Sequence, residues 1–293
     1  MNPDLSSNQS SVPECGVLYI ATGRFLEEAK ISAGSLKKQM PRIHTTVISE
    51  TDPQSDQFDS WIRLENATLS GRDKVLNMKL APYERTIFLD SDTYVAEPLD
   101  DLFSALDDYD FLATIAVARG YWYKDETGVP KTFPELNGGM LAFRNTPTIR
   151  RIWDSWETEY DQSAIWQKNY GKRIWDQPSM RKLLWENRHG MRLGVLPTEY
   201  NVLSIWGSFL FGKPVILHTR HKPERMLEWL NKSPYWNRVW LDQIGCLRSP
   251  YDMSFKEWLV SYIRIQAVFL RALFTKDGSY GKAGHKKYKR HIE

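Results

Sequence analysis

Hydrophobic residues in this chain come in short blocks, and the blocks alternate between two spacings. "GVLYIAT" (16–22) is an apolar run, which predicts a buried strand. "RFLEEAKISAGSLKKQM" (24–40) then places Leu26, Ala29, Ile31 and Leu36 at helical spacing. The alternation continues downstream. Strands are predicted over 44–50, 85–90, 110–118, 138–145 and 213–219, and helices over 70–82, 97–109, 146–160, 176–188 and 254–274. Pro82 ends one helix, and Thr146 with Pro147 opens another. No internal repeat is visible. Strands alternating with helices predict an α/β layer fold with a mostly parallel sheet. In such folds ligands bind beyond the carboxyl ends of the strands, so each motif can be judged by the edge it occupies.

The strongest strand ends abruptly in "TIFLDSDTYV" (86–95). Residues two apart on an extended segment point the same way, so Asp90 and Asp92 can share one focus. A divalent cation between them removes their repulsion, and hard oxygen ligands suit Mn²⁺ or Mg²⁺. The alternative is a solvated strand end with turn-forming aspartates. The chain holds its own control: Asp108-Tyr109-Asp110 has the same spacing but leads into a strand, at the edge away from a ligand crevice. Haloacid-dehalogenase-like phosphatases also end a strand in two aspartates, and Asp90 would be their nucleophile. Their pattern wants Thr or Val where this chain has Tyr94, and their strand lies nearer the start of the domain. A third reading is a non-catalytic carbohydrate-binding protein that uses its twelve Trp residues for stacking.

Five ordered pieces change the balance: "YIATG" (19–23), "KVLNMKLAPYERTIFLDSDTYV" (74–95), "LNGGMLAFRN" (136–145), "WDQPSM" (175–180) and "ILHTRHKP" (216–223). From about residue 16 to 223 the chain resembles the nucleotide-sugar glycosyltransferases of the GT-A fold, especially family 8, the glycogenin-like and bacterial lipopolysaccharide hexosyltransferases. The resemblance implies a Rossmann-like α/β/α sandwich with a C-terminal helical appendage. It implies metal-dependent transfer of a hexosyl group from a UDP-sugar to an acceptor hydroxyl, with retention of anomeric configuration. In this likeness Ala21, Thr22 and Gly23 hold the nucleotide base, the Thr22 hydroxyl reaching a uracil edge. Lys74 reaches the donor, with Lys79 competing for the role. Asp90 is shared between ribose and metal, Ser91 belongs to the nucleotide site, and Asp92 binds metal directly. Asn137, Gly138 and Gly139 lie beside the sugar, where the family usually has Asn-Ser-Gly. Gln177 approaches the β-face and Asp176 the sugar hydroxyls, although Asp176 also suits a helix cap. His218 completes the metal site in a loop shorter than the family's and lacking its Gly and Trp, which leaves His221 as a competitor. Lys222 would contact the departing diphosphate.

Composition adds limits. The chain has 293 residues, 42% hydrophobic and 26% charged, with a net charge of +3. That balance argues against nucleic acid as a partner. The basic excess is local: residues 275–293 carry six Lys/Arg and two acidic residues. Two cysteines, Cys15 and Cys246, offer no disulfide framework and favour a reducing, cytoplasmic setting. The N-terminal stretch lacks the apolar segment of a signal peptide, and no apolar run is long enough to span a membrane. The expected division is a tail (1–14), a catalytic domain (15–245) and an amphipathic helix with a basic tail (246–293). Phe255, Trp258, Leu259, Tyr262, Ile265, Phe269 and Leu273 share one face of that helix. The face either packs on its own domain or lies on anionic lipid near a glycan or glycolipid acceptor.

Overall fold

The computed structural model describes residues 13–117, 126–170, 173–220, 222–232, 235–241, 244–248 and 254–274, with no side-chain account of 248, 269 and 271–274. His221 and the tail before residue 13 lie outside the described residues, as does the basic stretch 275–293.

The chain opens with β1 (Cys15–Ile20), α1 (Phe25–Gln39), β2 (His44–Ser49) and β3 (Ser60–Arg63). It continues through α2 (Arg72–Asn77), β4 (Arg85–Leu89), β5 (Thr93–Val95), α3 (Asp100–Ala105) and β6 (Phe111–Ile115). Next come β7 (Leu136–Arg144), α4 (Pro147–Tyr170), α5 (Gln177–Glu186), β8 (Leu193–Leu196), β9 (Val202–Leu203) and β10 (Ser208–Leu210). It closes with β11 (Ile216–His218), α6 (Pro223–Asn231), β12 (Arg238–Leu241), β13 (Gly245–Arg248) and α7 (Phe255–Phe274).

A seven-stranded sheet in the order β3-β2-β1-β4-β7-β6-β8 forms the centre. All its pairings are parallel except those made by β7, which runs antiparallel to β4 and β6. Strand periodicity divides the core into two layers. Val17, Tyr19, Ile87 and Leu89 face Leu26, Ala29, Ala33 and Leu36 of α1 and Leu102 of α3. Leu18, Phe88, Leu141 and Phe143 face Val75 of α2, Ile152, Trp153 and Trp156 of α4, and Met180 and Leu184 of α5. The fold is therefore the expected α/β/α sandwich. Residues i and i+2 share a face, so each strand serves both layers.

Several expectations shift. The helix predicted over 70–82 is α2 followed by a 3₁₀ turn at Met78–Leu80. The helix predicted to end at 160 runs on to Tyr170, because Ser163, Trp166 and Gln167 are buried along it. The strand predicted from 138 begins at Leu136, so Asn137, Gly138 and Gly139 lie inside β7. The strand ending at His218 is not part of the central sheet. It forms a small sheet, β5-β11-β9, that continues from the end of β4. The boundary expected after 245 cuts β13, which pairs with β12 from Gly245 to Arg248. Glu14, placed in the tail, instead accepts a backbone hydrogen bond from Arg85. Cys15 and Cys246 are both free thiols.

The appendage helix forms as predicted, and the first two turns of its apolar face are open to solvent. Phe255 is 77% exposed, and Trp258, Leu259 and Tyr262 are exposed with it. Arg264 of this helix lies over the ring of Trp229, at 5.1 Å from the centroid. No helix among the described residues is long and apolar enough to cross a membrane.

Candidate active site

The turn after β4 is clamped by its backbone. The Asp90 amide donates to Gly139 O of β7 at 2.8 Å, and the Thr93 amide and hydroxyl donate to Asp90 O at 3.2 and 2.8 Å. The Thr219 amide donates to Asp92 O at 2.8 Å, which ties the turn to the end of β11. Three elements thus meet at the carboxyl edge of the sheet. β7 contributes its amino end there because it runs antiparallel.

Asp90, Asp92 and His218 converge, with one ligand atom from each lying within 4.8 Å of the others. His218 Nε2 stands 3.0 Å from Asp92 Oδ1 and 4.0 Å from Asp90 Oδ2. The other ring nitrogen, Nδ1, is 3.1 Å from Asn201 Oδ1. Asn201 Nδ2 donates to Thr114 Oγ1 at 3.2 Å and to Asn137 Oδ1 at 2.8 Å, so its carbonyl must face the histidine. The network assigns a proton to Nδ1 and directs Nε2, which donates to Asp92 here, at the aspartates; on giving up that proton Nε2 would offer its lone pair to a metal between them, as an oriented metal-binding histidine does. Two carboxylates and an imidazole so oriented fit a divalent cation with open positions for a ligand.

Packing accounts for the paired glycines. A Cβ on Gly139 would lie 2.2 Å from His218 Cε1, and one on Gly138 would lie 2.9 Å from Asp176 Oδ2 and 3.0 Å from Lys74 Nζ. Neither residue begins a turn. Both leave room for side chains that line the site, and Asn137, now buried, accepts from the Gly139 amide at 2.8 Å.

Lys74 enters from α2. Its ammonium lies 2.5 Å from Asp176 Oδ2 and 3.4 Å from Asp90 Oδ1, and donates to Gly138 O at 3.3 Å. Lys79 is exposed on the 3₁₀ turn, whereas Lys74 reaches the carboxylates. Asp176 occupies the cap position of α5 without a side-chain capping bond, because it is drawn to Lys74 instead. Beside it Gln177 is buried, and its Oε1 has no hydrogen-bond partner among the described residues.

Crowding separates the two aspartates electrostatically. Burial raises the Asp90 carboxyl above its ordinary pKa, against the pull of Lys74 and His218. Asp92 is also desolvated, yet His218 and Arg220 outweigh this and hold it well below the usual carboxylate range. Burial lowers the His218 imidazole, but Asp92 and Asp90 more than compensate and leave it raised.

The segment expected to hold the nucleotide base is engaged within the fold. Thr22 is 2% exposed and its hydroxyl donates to Asp73 Oδ2 at 2.6 Å, so that proton is committed within the fold. Ala21 is buried. Gly23 takes φ +54°, where glycine is favoured, and its amide donates to Glu50 Oε1 at 2.9 Å. The other Glu50 oxygen is buried without a partner among the described residues. Ser91 Oγ donates to Glu28 Oε2 at 3.2 Å. Lys222 has φ +32° and an exposed side chain at the start of α6.

Sequence reasoning missed Asn201, Glu28, Glu50 and Arg220. Arg220 Nη2 lies 3.2 Å from Asp92 Oδ2, and its Nε donates to both Glu28 oxygens at 3.1 Å. Arg220 stood inside the quoted "ILHTRHKP" and could have been weighed; Asn201 follows a 3₁₀ turn with no local signal. Asp110 sits at the opposite edge, accepting from the Arg192 amide at 2.8 Å and from its guanidinium at 3.2 Å.

The structure is similar to that of the galactosyltransferase LgtC in complex with donor and acceptor sugar analogues, at 12% identity and a TM-score of 0.50, covering 70% of this chain and 87% of that one. It also aligns with mouse xyloside xylosyltransferase 1 at 14% identity and a TM-score of 0.48, covering 70% and 97%. The bifunctional glycosyltransferase WbbM aligns at 14% identity and a TM-score of 0.45, covering 76% of this chain and 47% of that one. No curated protein matches the sequence. Residues 35–226, more than half of the chain, match the family model of nucleotide-diphospho-sugar transferases. The phosphatase and non-catalytic readings fall with that match: the chain is a GT-A-fold glycosyltransferase and belongs to the nucleotide-diphospho-sugar transferase family.

Proposed function

We propose that the protein transfers a hexosyl group from a UDP-sugar to the hydroxyl of a glycan or glycolipid, with retention of anomeric configuration. The observation that carries this reading is the convergence of Asp90, Asp92 and His218 at the carboxyl edge, with the histidine oriented by Asn201. These three residues would hold Mn²⁺ or Mg²⁺. When bound, such a cation supplies positive charge against a diphosphate that becomes more negative as it leaves. The bond from the anomeric carbon to the β-phosphate oxygen breaks with both electrons on oxygen. The acceptor oxygen bonds to the same carbon and gives up its proton, so the products are glycoside, UDP and a proton.

The remaining residues bind and orient. Lys74, held by Asp90 and Asp176, keeps two carboxylates facing the site while offsetting part of their charge. Gln177 brings an unpaired amide oxygen to the sugar's β-face. Asp176 takes the sugar hydroxyls on the side away from Lys74. A donor screen read by UDP release, with Mn²⁺, Mg²⁺ and EDTA arms, tests the reading, and NMR of the product gives the anomeric outcome. Release that survives EDTA unchanged would overturn the metal assignment, and an inverted product would overturn retention.

The appendage supports a peripheral position on the cytoplasmic side of a membrane, near a lipid-linked acceptor. Phe255, Trp258 and Tyr262 form an exposed stack, with centroids 6.0 and 5.5 Å apart, ahead of the Lys/Arg-rich stretch. Aromatic side chains of this kind favour the headgroup region, and basic residues favour anionic lipid. Removing residues 254–293 should abolish co-sedimentation with anionic vesicles and spare transfer to a soluble acceptor. Full-length binding should weaken with added salt. A truncated protein that still binds vesicles would place the contact elsewhere.

A further inference from the structure

Asp92 has both oxygens engaged by cationic side chains of its own chain: Oδ1 by His218 at 3.0 Å and Oδ2 by Arg220 at 3.2 Å. Arg220 is not loosely placed. Glu28, in the first turn of α1, accepts from its Nε with both oxygens and also takes the Ser91 hydroxyl. The guanidinium passes over the ring of Phe25 at 5.9 Å from the centroid. A latch therefore runs from α1 through Arg220 to the metal-site aspartate. Residues 192 positions apart close it.

We infer that Arg220, rather than Lys222, is the diphosphate-binding cation of the donor site, and that it neutralises Asp92 until a metal–nucleotide complex arrives. The inference rests on the donor reading given under Proposed function. A divalent cation on Asp92 repels a guanidinium on the neighbouring oxygen of the same carboxylate, so the two compete for Asp92. A nucleoside diphosphate arriving with the cation offers Arg220 new oxygens in fork geometry, which suits arginine better than lysine. Arg220 need not leave Glu28 to make this exchange, because the contact to Asp92 uses Nη2 and the contact to Glu28 uses Nε. Lys222 is poorly placed for the role: its backbone is left-handed, its carbonyl accepts from the Arg225 and Met226 amides, and its side chain makes no ion pair among the described residues.

The exchange has a signature of opposite signs. In the full-length protein, Arg220→Gln should bind Mn²⁺ alone several-fold more tightly, because a competing positive charge is gone. The same variant should bind UDP in saturating Mn²⁺ about tenfold or more weakly, the loss expected for a charge-assisted hydrogen bond. Arg220→Lys should recover part of the UDP affinity. Glu28→Gln removes the anion that offsets Arg220 but keeps the guanidinium, so it should weaken binding of Mn²⁺ alone without weakening UDP in saturating Mn²⁺. Calorimetry with Mn²⁺ alone and then with UDP reads all of these, and a thermal melt shows that each variant is folded. An Arg220→Gln protein that loses affinity for both, or for neither, overturns the exchange. A wild-type protein that binds UDP equally well with EDTA overturns the metal reading itself, and the exchange with it.

Discussion

Two Asp-X-Asp triplets occupy opposite edges of one sheet, and their surroundings differ in kind. Asp90 and Asp92 leave the carboxyl end of β4 and meet Lys74, Asp176, His218 and Arg220, which come from three other parts of the chain. Asp108 and Asp110 precede β6 at its amino end, where Asp110 is matched by one exposed arginine, Arg192. The same residue types at the same spacing make a candidate binding site in one place and a surface ion pair in the other. Strand direction decides which. At the carboxyl edge β7 begins, α5 starts and β11 ends, so their side chains add to the pair.

The comparison breaks most directly at the aspartates. Asp92→Asn should lower UDP-sugar turnover by roughly 10²–10³-fold, the range seen when a group that stabilises developing charge is removed. Asp110→Asn should leave turnover within about twofold, as surface substitutions usually do. Equal losses in a UDP-release assay would mean that position at the edge carries no information.

Asn201→Ala removes the acceptor that orients His218, and loss of such partners weakens metal sites by about 10–100-fold. Mn²⁺ titration measures it, with a thermal melt to separate a lost ligand from a lost fold. Unchanged affinity would remove His218 from the metal site. Gly139→Ala should act through the same histidine, since its Cβ would occupy the space of the His218 ring. A fall of about tenfold in Mn²⁺ affinity with an unaltered circular dichroism spectrum is expected, less than the loss of the orienting group itself.

The smallest effect lies at the control pair and concerns acid stability. Burial works to raise the Asp110 carboxyl, but its hydrogen bonds to Arg192 hold it below its ordinary value. A depressed carboxylate stabilises the fold above its unfolded pKa of about 4, and that contribution disappears as pH falls through the folded value. Asp110→Asn should therefore melt slightly earlier than wild type at pH 7, with the gap closing below about pH 4. A gap that widens in acid would show that the pair does not act as an ion pair.

The apolar runs at 16–22 and 85–90 were readable as strands because burial on both sides of a sheet requires near-continuous hydrophobic sequence, and 44–50 by its β-branched residues. The Asp90/Asp92 pair was readable because a spacing of two is a local property of an extended chain. The short edge strand β3 was not, since its half-buried "SWIR" carries too little pattern. Nor was the direction of β7, which brings the glycine pair to the site edge, or the separate sheet that delivers His218. Asn201, Glu28 and Arg220 gain their meaning through hydrogen bonds to residues 17, 63 and 192 positions away. Periodicity and spacing act over a few residues, so the sequence by itself determined the elements and the aspartate pair. Convergence depends on which way each strand runs and what packs beside it, and only the tertiary structure decided that.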